Sequence, residues 1–507
     1  MLRYTEHDPT IIKTSFPLMS FRIAFIGAGS GGFTRKLVSD LLTVPEFADV
    51  EFAFTDINKC NLDMVTRICR TDIAANGLKA TITATTDRRE ALKGARYVFV
   101  VVRIGGIEAF ATDIDIPLKY GIDQCVGDTL CAGGIMYGQR GIAAILDFCR
   151  DIREVAAPGC ILFNYANPMA MLTWAANTHG GVRCVGLCHG VQHGHQQLVE
   201  VLGAKSKAEV DIVCAGINHQ TWYVSVQYQG RRIGGEELLA AFERHPQYSR
   251  EEKVRIDMLL RFGAYSTESN GHLSEYLPWY RKRPAEIKNW IDMGFWIHGE
   301  TGGYLRVSTE GRNWFEDEFS AGREIKPFAY TPENRSEEHG SRIIEGLETG
   351  RLYRGHFNVV NRGTITNLPD DCVIEAPGYV DRNGINLPRV GELPLGCAAV
   401  CNVSVSVQRL AVEAAATGDD KLLRQAFMMD PLTGAVCNPP EIWQLVDEML
   451  VAGAKWLPQY RAAIKAAKAR LAKGPRIPAR ASAGAARLKT RSLAELHREK
   501  INPRAGH

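Results

Sequence analysis

No uninterrupted apolar stretch in this chain approaches the roughly 20 residues that a membrane-crossing helix needs, so no membrane partner is expected. The first residues, Met1-Leu-Arg-Tyr-Thr-Glu-His-Asp8, lack the basic region and apolar core of a secretory leader. A cytoplasmic location follows. The 13 cysteines are odd in number and irregularly spaced, which excludes the disulfide framework of a small secreted domain and points to reduced thiols. No internal repeat is found, which excludes a solenoid. Net charge is only +3, and it is unevenly placed: from Leu471 to His507 nine Lys/Arg face two Glu. With Gly474-Pro475, Pro478 and the small residues Ala481 to Ala486, this segment reads as a solvated, flexible extension rather than a nucleic-acid-binding arm.

What is present is a soluble globular composition, 45% hydrophobic and 23% charged, in 507 residues, too many for one ordinary core. The run Phe21-Arg-Ile-Ala-Phe-Ile26 breaks into glycine, and Gly27, Gly29 and Gly32 keep the G-x-G-x-x-G spacing. That spacing assigns a tight turn to the first glycine, close approach of backbone to a pyrophosphate to the second, and helix–strand packing to the third. A helix from Thr34 would turn its free N–H groups and positive dipole end toward the phosphates. A second strand-like run, Val50 to Thr55, ends at Asp56, where a carboxylate can accept hydrogen bonds from an adenosine ribose. The expected ligand is NAD.

Further apolar runs, Tyr97 to Val102, Cys160 to Tyr165 and Val182 to Leu187, suit strands buried on both faces of a parallel sheet. The expected fold class is α/β: a Rossmann-type doubly wound parallel sheet with a second mixed α/β domain closing over its crevice. The expected organisation is an N-terminal extension over 1–19, the NAD-binding domain over 20–215, a substrate, metal-site and oligomerisation domain over 216–470, and the basic tail over 471–507. Ligands bind beyond the carboxyl ends of such strands. Three polar segments stand there: Arg103-Ile-Gly-Gly106, Asn164-Tyr-Ala-Asn-Pro168 and Cys188-His-Gly-Val191.

Cys188-His189 and Gly216-Ile-Asn-His-Gln220 offer thiolate and imidazole donors. Two ligands are too few for a closed structural site. From the residues alone, two readings stay open: a catalytic metal with open positions, or a buried cysteine and a satisfied histidine.

Gly27-Ala-Gly-Ser30, Arg103-Ile-Gly-Gly106, Asn164 to Met171, Gly186-Leu-Cys-His-Gly-Val191, Gly216-Ile-Asn-His219 and Arg261-Phe-Gly-Ala-Tyr-Ser-Thr-Glu268 occur in order. From Phe21 to about Lys455 the chain thereby resembles glycoside hydrolase family 4, closest to its melibiase-type α-galactosidases. The resemblance implies an NAD- and manganese-dependent (or other divalent metal) route, outside the usual two-carboxylate scheme. In it the sugar is oxidised at C3, the C2 proton is removed, the C1–O bond breaks by elimination, water adds, and the hydride returns. A metal ion polarises the C2 and C3 oxygens.

By that resemblance Cys188 and His219 match the metal ligands, and His189 the general acid, whose ordinary pKa near 6.5 suits protonating a leaving oxygen. Asn167 matches a residue holding substrate hydroxyls. For the C2 base the family uses a tyrosine or an aspartate. Here Asn270 stands at the aspartate position, so Tyr265 or Glu268 would act, directly or through water. Gly190 replaces a larger residue, which would enlarge the pocket beside the acid. Arg103 could pair with a sugar carboxylate or form an ion pair within the fold. The expected activity is α-glycoside hydrolysis, most simply of α-galactosides, by a homodimer or homotetramer. An α-galacturonidase or α-glucuronidase, or an NAD-dependent sugar dehydrogenase, are the alternatives.

Overall fold

The computed structural model describes residues 19–320, 326–473, 477–480 and 482–501. Except for Met19, the expected N-terminal extension lies outside these residues. The strands in chain order are β1 Arg22–Ile26, β2 Glu51–Thr55, β3 Thr81–Thr85, β4 Tyr97–Val100, β5 Ile161–Asn164, β6 Arg183–Gly186, β7 Val210–Ile217, β8 Gln220–Tyr228, β9 Arg231–Arg232, β10 Tyr353–Val360, β11 Val373–Asp381 and β12 Gly384–Asn386. They form one sheet in the order β3-β2-β1-β4-β5-β6-β10-β11-β7-β8-β9, with β12 on β11.

The first six strands pair in parallel. Their 3-2-1-4-5-6 order is that of a dinucleotide-binding sheet, whose crevice opens where the order reverses, between β1 and β4. Apolar side chains on both faces explain the parallel pairing. Phe25, Phe52, Phe54, Phe99 and Phe163 are fully buried on one face, with Phe25 and Phe99 rings 4.9 Å apart. Ala24, Ala53, Val98, Val100 and Leu162 fill the other, within the cluster that includes the helices Cys131–Val155 and Met169–Thr178. Each such aromatic contributes roughly 1.5–3 kcal/mol by burial.

The second part does not form a separate sheet. β10 and β11 come late in the chain, yet they lie between β6 and β7, and all pairings from β6 through β9 are antiparallel. A boundary at residue 215 therefore falls inside β7. The sheet runs on from the first part to the second through single residue pairs, Asn358 with Gly186 and Glu375 with Gly216.

One helix among the described residues, Leu395–Thr417, is long and apolar enough to cross a membrane. Half of its apolar window is buried in the fold, with Cys397, Cys401, Val405 and Ala411 inside the main core. The described part of the basic tail also departs from a free extension. Arg480 pairs with Glu441 at 2.7 Å, Arg487 with Asp115 at 2.7 Å and Arg491 with Glu310 at 2.6 Å. Acidic groups on the body thus pair with three of the nine basic residues that suggested solvation.

Candidate functional site

At the end of β1 the chain turns through Gly27, whose φ is +88° and where a Cβ would lie 2.2 Å from the Val101 carbonyl oxygen. Only glycine fits there. The Gly29 N–H donates to Asp56 Oδ2 at 2.8 Å, and a Cβ on Gly29 would press that carboxylate at 2.7 Å. Asp56 Oδ1 accepts from the Asn58 N–H, so the carboxylate at the end of β2 ties the turn together. Gly32 differs from expectation. A Cβ there would meet nothing within 4 Å, so the third glycine has no packing role. The helix Gly31–Leu42 begins at Ser30 with no side-chain cap and no acidic residue in its first turn. Its leading N–H groups and dipole suit an anion, as a pyrophosphate-binding turn requires.

Ring contacts join this turn to the segments that follow β5 and β6. Phe33, in the first turn of that helix, packs on Tyr165 at 4.8 Å and on His189 at 5.9 Å between ring centroids. Cys188 and His189 follow β6 and lead into the helix Gly190–Val201. The His189 Nε2 lies 2.7 Å from Glu338 Oε1, and its side chain is 40% exposed, open to the crevice. Glu338 also pairs with Lys36. Burial opposes ionisation of Glu338, but the hydrogen bond and charge of His189 hold its carboxyl below the usual range.

β7 and β8 form a hairpin whose two-residue turn is Asn218-His219. Gly216 is required before it, since a Cβ would lie 2.3 Å from the Gln220 carbonyl oxygen. His219 has φ +64°, a left-handed conformation that costs a side-chain-bearing residue of order 1 kcal/mol or more. The turn aims its ring at Cys188. The donor atoms of Cys188, His219 and Glu268 all lie within 4.8 Å of one another, and all three residues are buried. His219 Nε2 is 3.4 Å from Glu268 Oε2.

The opposite ring nitrogen, Nδ1, lies 2.9 Å from Thr129 Oγ1 and 3.2 Å from the Tyr276 hydroxyl. Thr129 Oγ1 donates its hydrogen to Asp128 Oδ1 at 2.9 Å, so it must accept from His219 Nδ1–H. Nε2 is thus the nitrogen that faces the thiol and carboxylate. Burial pushes the Cys188 thiol up. Burial also opposes protonation of His219, but Glu268 and then Cys188 outweigh it and lift the imidazole to about 10. For Glu268 burial is overcome by His219 and His272, which hold the carboxyl at about 2. Thiol, imidazole and ionised carboxylate form a donor set that fits a divalent transition ion with open positions.

Asp128, Thr129, Tyr276 and Glu338 did not stand out in the sequence. A lone aspartate in the small and apolar run Cys125 to Cys131 was the one available signal. Asp128 is 1% exposed and accepts from Arg103 at 3.2 Å and from Asn167 Nδ2 at 3.0 Å. The Arg103 guanidinium carbon sits 4.2 Å from the Phe110 ring centroid and 5.1 Å from that of Tyr304. Arg103 thus forms the ion pair within the fold, and Asn167 is brought to the same carboxylate. Gly190 does not enlarge the pocket: a Cβ there would stand 3.0 Å from Glu268 Oε2, so its absence lets that carboxylate approach.

The structure does not bring Tyr265 to this cluster. Its ring is fully buried, stacked 4.1 Å from Phe242 and under the Arg255 guanidinium, with the hydroxyl bonded to Gln197 Oε1 at 2.9 Å. Burial pushes its pKa well up, opposite to what a base needs. Asn270 is also structural, accepting from the Val254 N–H and donating to the carbonyls of Trp290 and His298. Tyr265→Phe is expected to leave turnover near the parent value and to cost about 0.5–1.5 kcal/mol of stability for the lost hydrogen bond. A collapse of kcat at unchanged Tm would return Tyr265 to the reaction.

Two family profiles match the chain in order: family 4 glycosyl hydrolase over residues 22–204 and the family 4 glycosyl hydrolase C-terminal domain over residues 214–433. An alpha-galactosidase of Rhizobium meliloti is 62% identical over 488 residues, covering 95% of this chain and 98% of the relative. An alpha-galactosidase of Bacillus subtilis is 32% identical, over 87% of this chain and all of the relative. The fold matches a 6-phospho-beta glucosidase of Thermotoga maritima, solved with manganese, NAD+ and glucose-6-phosphate, at TM-score 0.69 and 22% identity, covering 86% of this chain and 99% of that one. With the glycine turn, the cysteine–histidine cluster and both profiles in the same order along one chain, the protein belongs to glycosyl hydrolase family 4.

Proposed function

We propose that this protein is a cytoplasmic, homo-oligomeric α-galactosidase that uses NAD and a divalent metal, manganese first among them. The observation that carries the reading is the placement of a dinucleotide turn and a three-donor cluster at strand ends of one sheet, joined by the Phe33, Tyr165 and His189 rings. When bound, NAD supplies reversible hydride acceptance from the sugar and the metal supplies Lewis acidity toward its hydroxyls. A simple dehydrogenase would have no need of the donor cluster.

In this reading Gly27, Gly29 and the first turn of the helix Gly31–Leu42 hold the pyrophosphate, and Asp56 holds the ribose. Gly32 gives that helix an unobstructed start. Cys188, His219 and Glu268 hold the metal; with its carboxyl held near 2, Glu268 serves better as a ligand than as a base. Asn167, fixed by Asp128, orients sugar hydroxyls. His189 moves the proton to the leaving oxygen, with Glu338 fixing its ring. Arg103 already faces the buried carboxylate of Asp128, which favours a neutral sugar over a uronide.

The test is turnover with NAD+ and Mn2+ on aryl α-galactoside, α-glucoside, α-galacturonide and α-glucuronide. Preference for the galactoside with catalytic amounts of NAD+ is expected. Preference for a uronide moves the substrate to the acidic sugars, and one NADH accumulated per product makes the protein a dehydrogenase.

Two further results are expected from the same material. Asp56→Ala removes both the ribose acceptor and the tie to Gly29, and NAD+ binding is expected to weaken by about 1.5–3 kcal/mol. Unchanged affinity in a titration removes Asp56 from the site. The metal-free cluster holds protons on the raised Cys188 thiol and on His219, which an ion must displace. Apparent Mn2+ affinity is therefore expected to rise with pH, by up to about tenfold per unit for each proton displaced. Calorimetry in buffers of different ionisation heat checks the proton release; none at neutral pH would contradict it.

A further inference from the structure

The basic C-terminal segment lies beyond residue 433, where the second family profile ends. Its described part is built into the wall that carries Asp128 and Thr129. Gly484 has φ +86°, and a Cβ there would lie 2.6 Å from Thr301 Cγ2. The next two residues pair with that wall. The Ala485 N–H donates to Asp123 Oδ2 at 2.9 Å and the Ala486 N–H to Thr301 Oγ1 at 3.1 Å, while the Thr301 N–H donates to the Ala486 carbonyl at 3.1 Å. Ala486 is 3% exposed. Asp123 also accepts from Thr301 Oγ1 and from the fully buried Arg281.

From this joint the contacts run inward. The N–H groups of Gly302 and Tyr304 donate to the carbonyls of Gln124 and Cys125 at 2.8 and 3.3 Å. Glu275 accepts the three backbone N–H groups of Cys125, Val126 and Gly127 at 2.6–2.9 Å. Asp128 and Thr129 come next, and Thr129 fixes which nitrogen of His219 faces the cluster. Arg487 on Asp115 and Arg491 on Glu310 pin the segment beyond the joint.

We propose that residues 484–491 are a positioning strap of the active site: they hold the loop Asp123–Thr129, and through Thr129 the ring of His219, in the geometry that binds metal. No strap residue is a catalytic residue. The proposal rests on the metal reading above for its consequence, but its first step, ordering of the loop, can be measured without metal.

Three full-chain variants test it. Thr301→Val keeps the shape but removes the hydroxyl between strap and loop, Gly484→Ala places a Cβ against Thr301, and Arg491→Ala releases the outer pin. Amide exchange in peptides covering 123–129 is expected to accelerate at least about tenfold, while peptides of β1 and β2 and NAD+ binding stay at parent values. Mn2+ affinity is expected to fall by roughly 10–100-fold, as for loss of a partner that orients a metal-binding histidine. Thr301→Ser is expected to restore both. Should Gly484→Ala fail to fold, the isosteric Thr301→Val and the peripheral Arg491→Ala decide the matter. A lowered Tm with unchanged exchange at 123–129 and unchanged Mn2+ affinity would overturn the proposal, leaving the segment a general brace. Absence of Mn2+ binding by the parent protein would instead sink the metal reading, with the exchange data still deciding whether the strap orders the loop.

Discussion

Cys188→Ser and His219→Ala are each expected to abolish metal-stimulated turnover while leaving a folded, NAD+-binding protein. Serine replaces a soft thiolate with a neutral hydroxyl that holds a transition ion poorly. Alanine at 219 removes the imidazole and also the N–H that donates to Thr129 Oγ1, which keeps only its bond to Asp128. Loss of an orienting partner alone costs roughly 10–100-fold in metal affinity, so loss of a ligand is expected to exceed that range. The measurement is Mn2+ titration beside activity with saturating NAD+. Full Mn2+-dependent activity in either variant defeats the assignment. Glu268→Gln is the informative companion, because Glu268 completes the donor triangle.

His189→Ala is expected to depress turnover of alkyl glycosides far more than that of aryl glycosides with acidic phenols. Alkyl alcohols leave only with a proton, whereas such phenols depart unaided, and general acid catalysis is worth about 10²–10⁴-fold. Deuterium at C2 is the control, since removal of that proton precedes departure and does not use the acid. Glu338→Gln is expected to give the same contrast in weaker form, because it disturbs only the group bonded to Nε2. Equal losses on both substrate types would reassign His189 to substrate positioning.

The parts of the site legible in the sequence are those set by local backbone geometry or by strand ends. Gly27 and Gly29 sit where a Cβ cannot, and Asp56 ends the neighbouring strand, so spacing alone located the turn. Cys188 and His219 each follow a strand, which placed both beyond strand ends, but only the family resemblance paired them as ligands. What was illegible depends on contacts between distant segments. Gly190 makes sense only against Glu268, which would meet its Cβ, and Arg103 only against Asp128. Tyr265 lies in a motif shared with the family, and no pattern in that motif tells which way its ring turns. The tail misled for a related reason: net charge reads as solvation unless the matching carboxylates, here Asp115, Glu310 and Glu441, are known to lie opposite.

A hinge needs a seam that few hydrogen bonds cross, and this sheet has two, since β6 meets β10 and β11 meets β7 at one residue pair each. The glycine turn after β1 and the His219 hairpin after β7 belong to one sheet but stand on opposite sides of these narrow joints. Rocking one half against the other would break little of the ladder, so entry of sugar and release of product can use that motion.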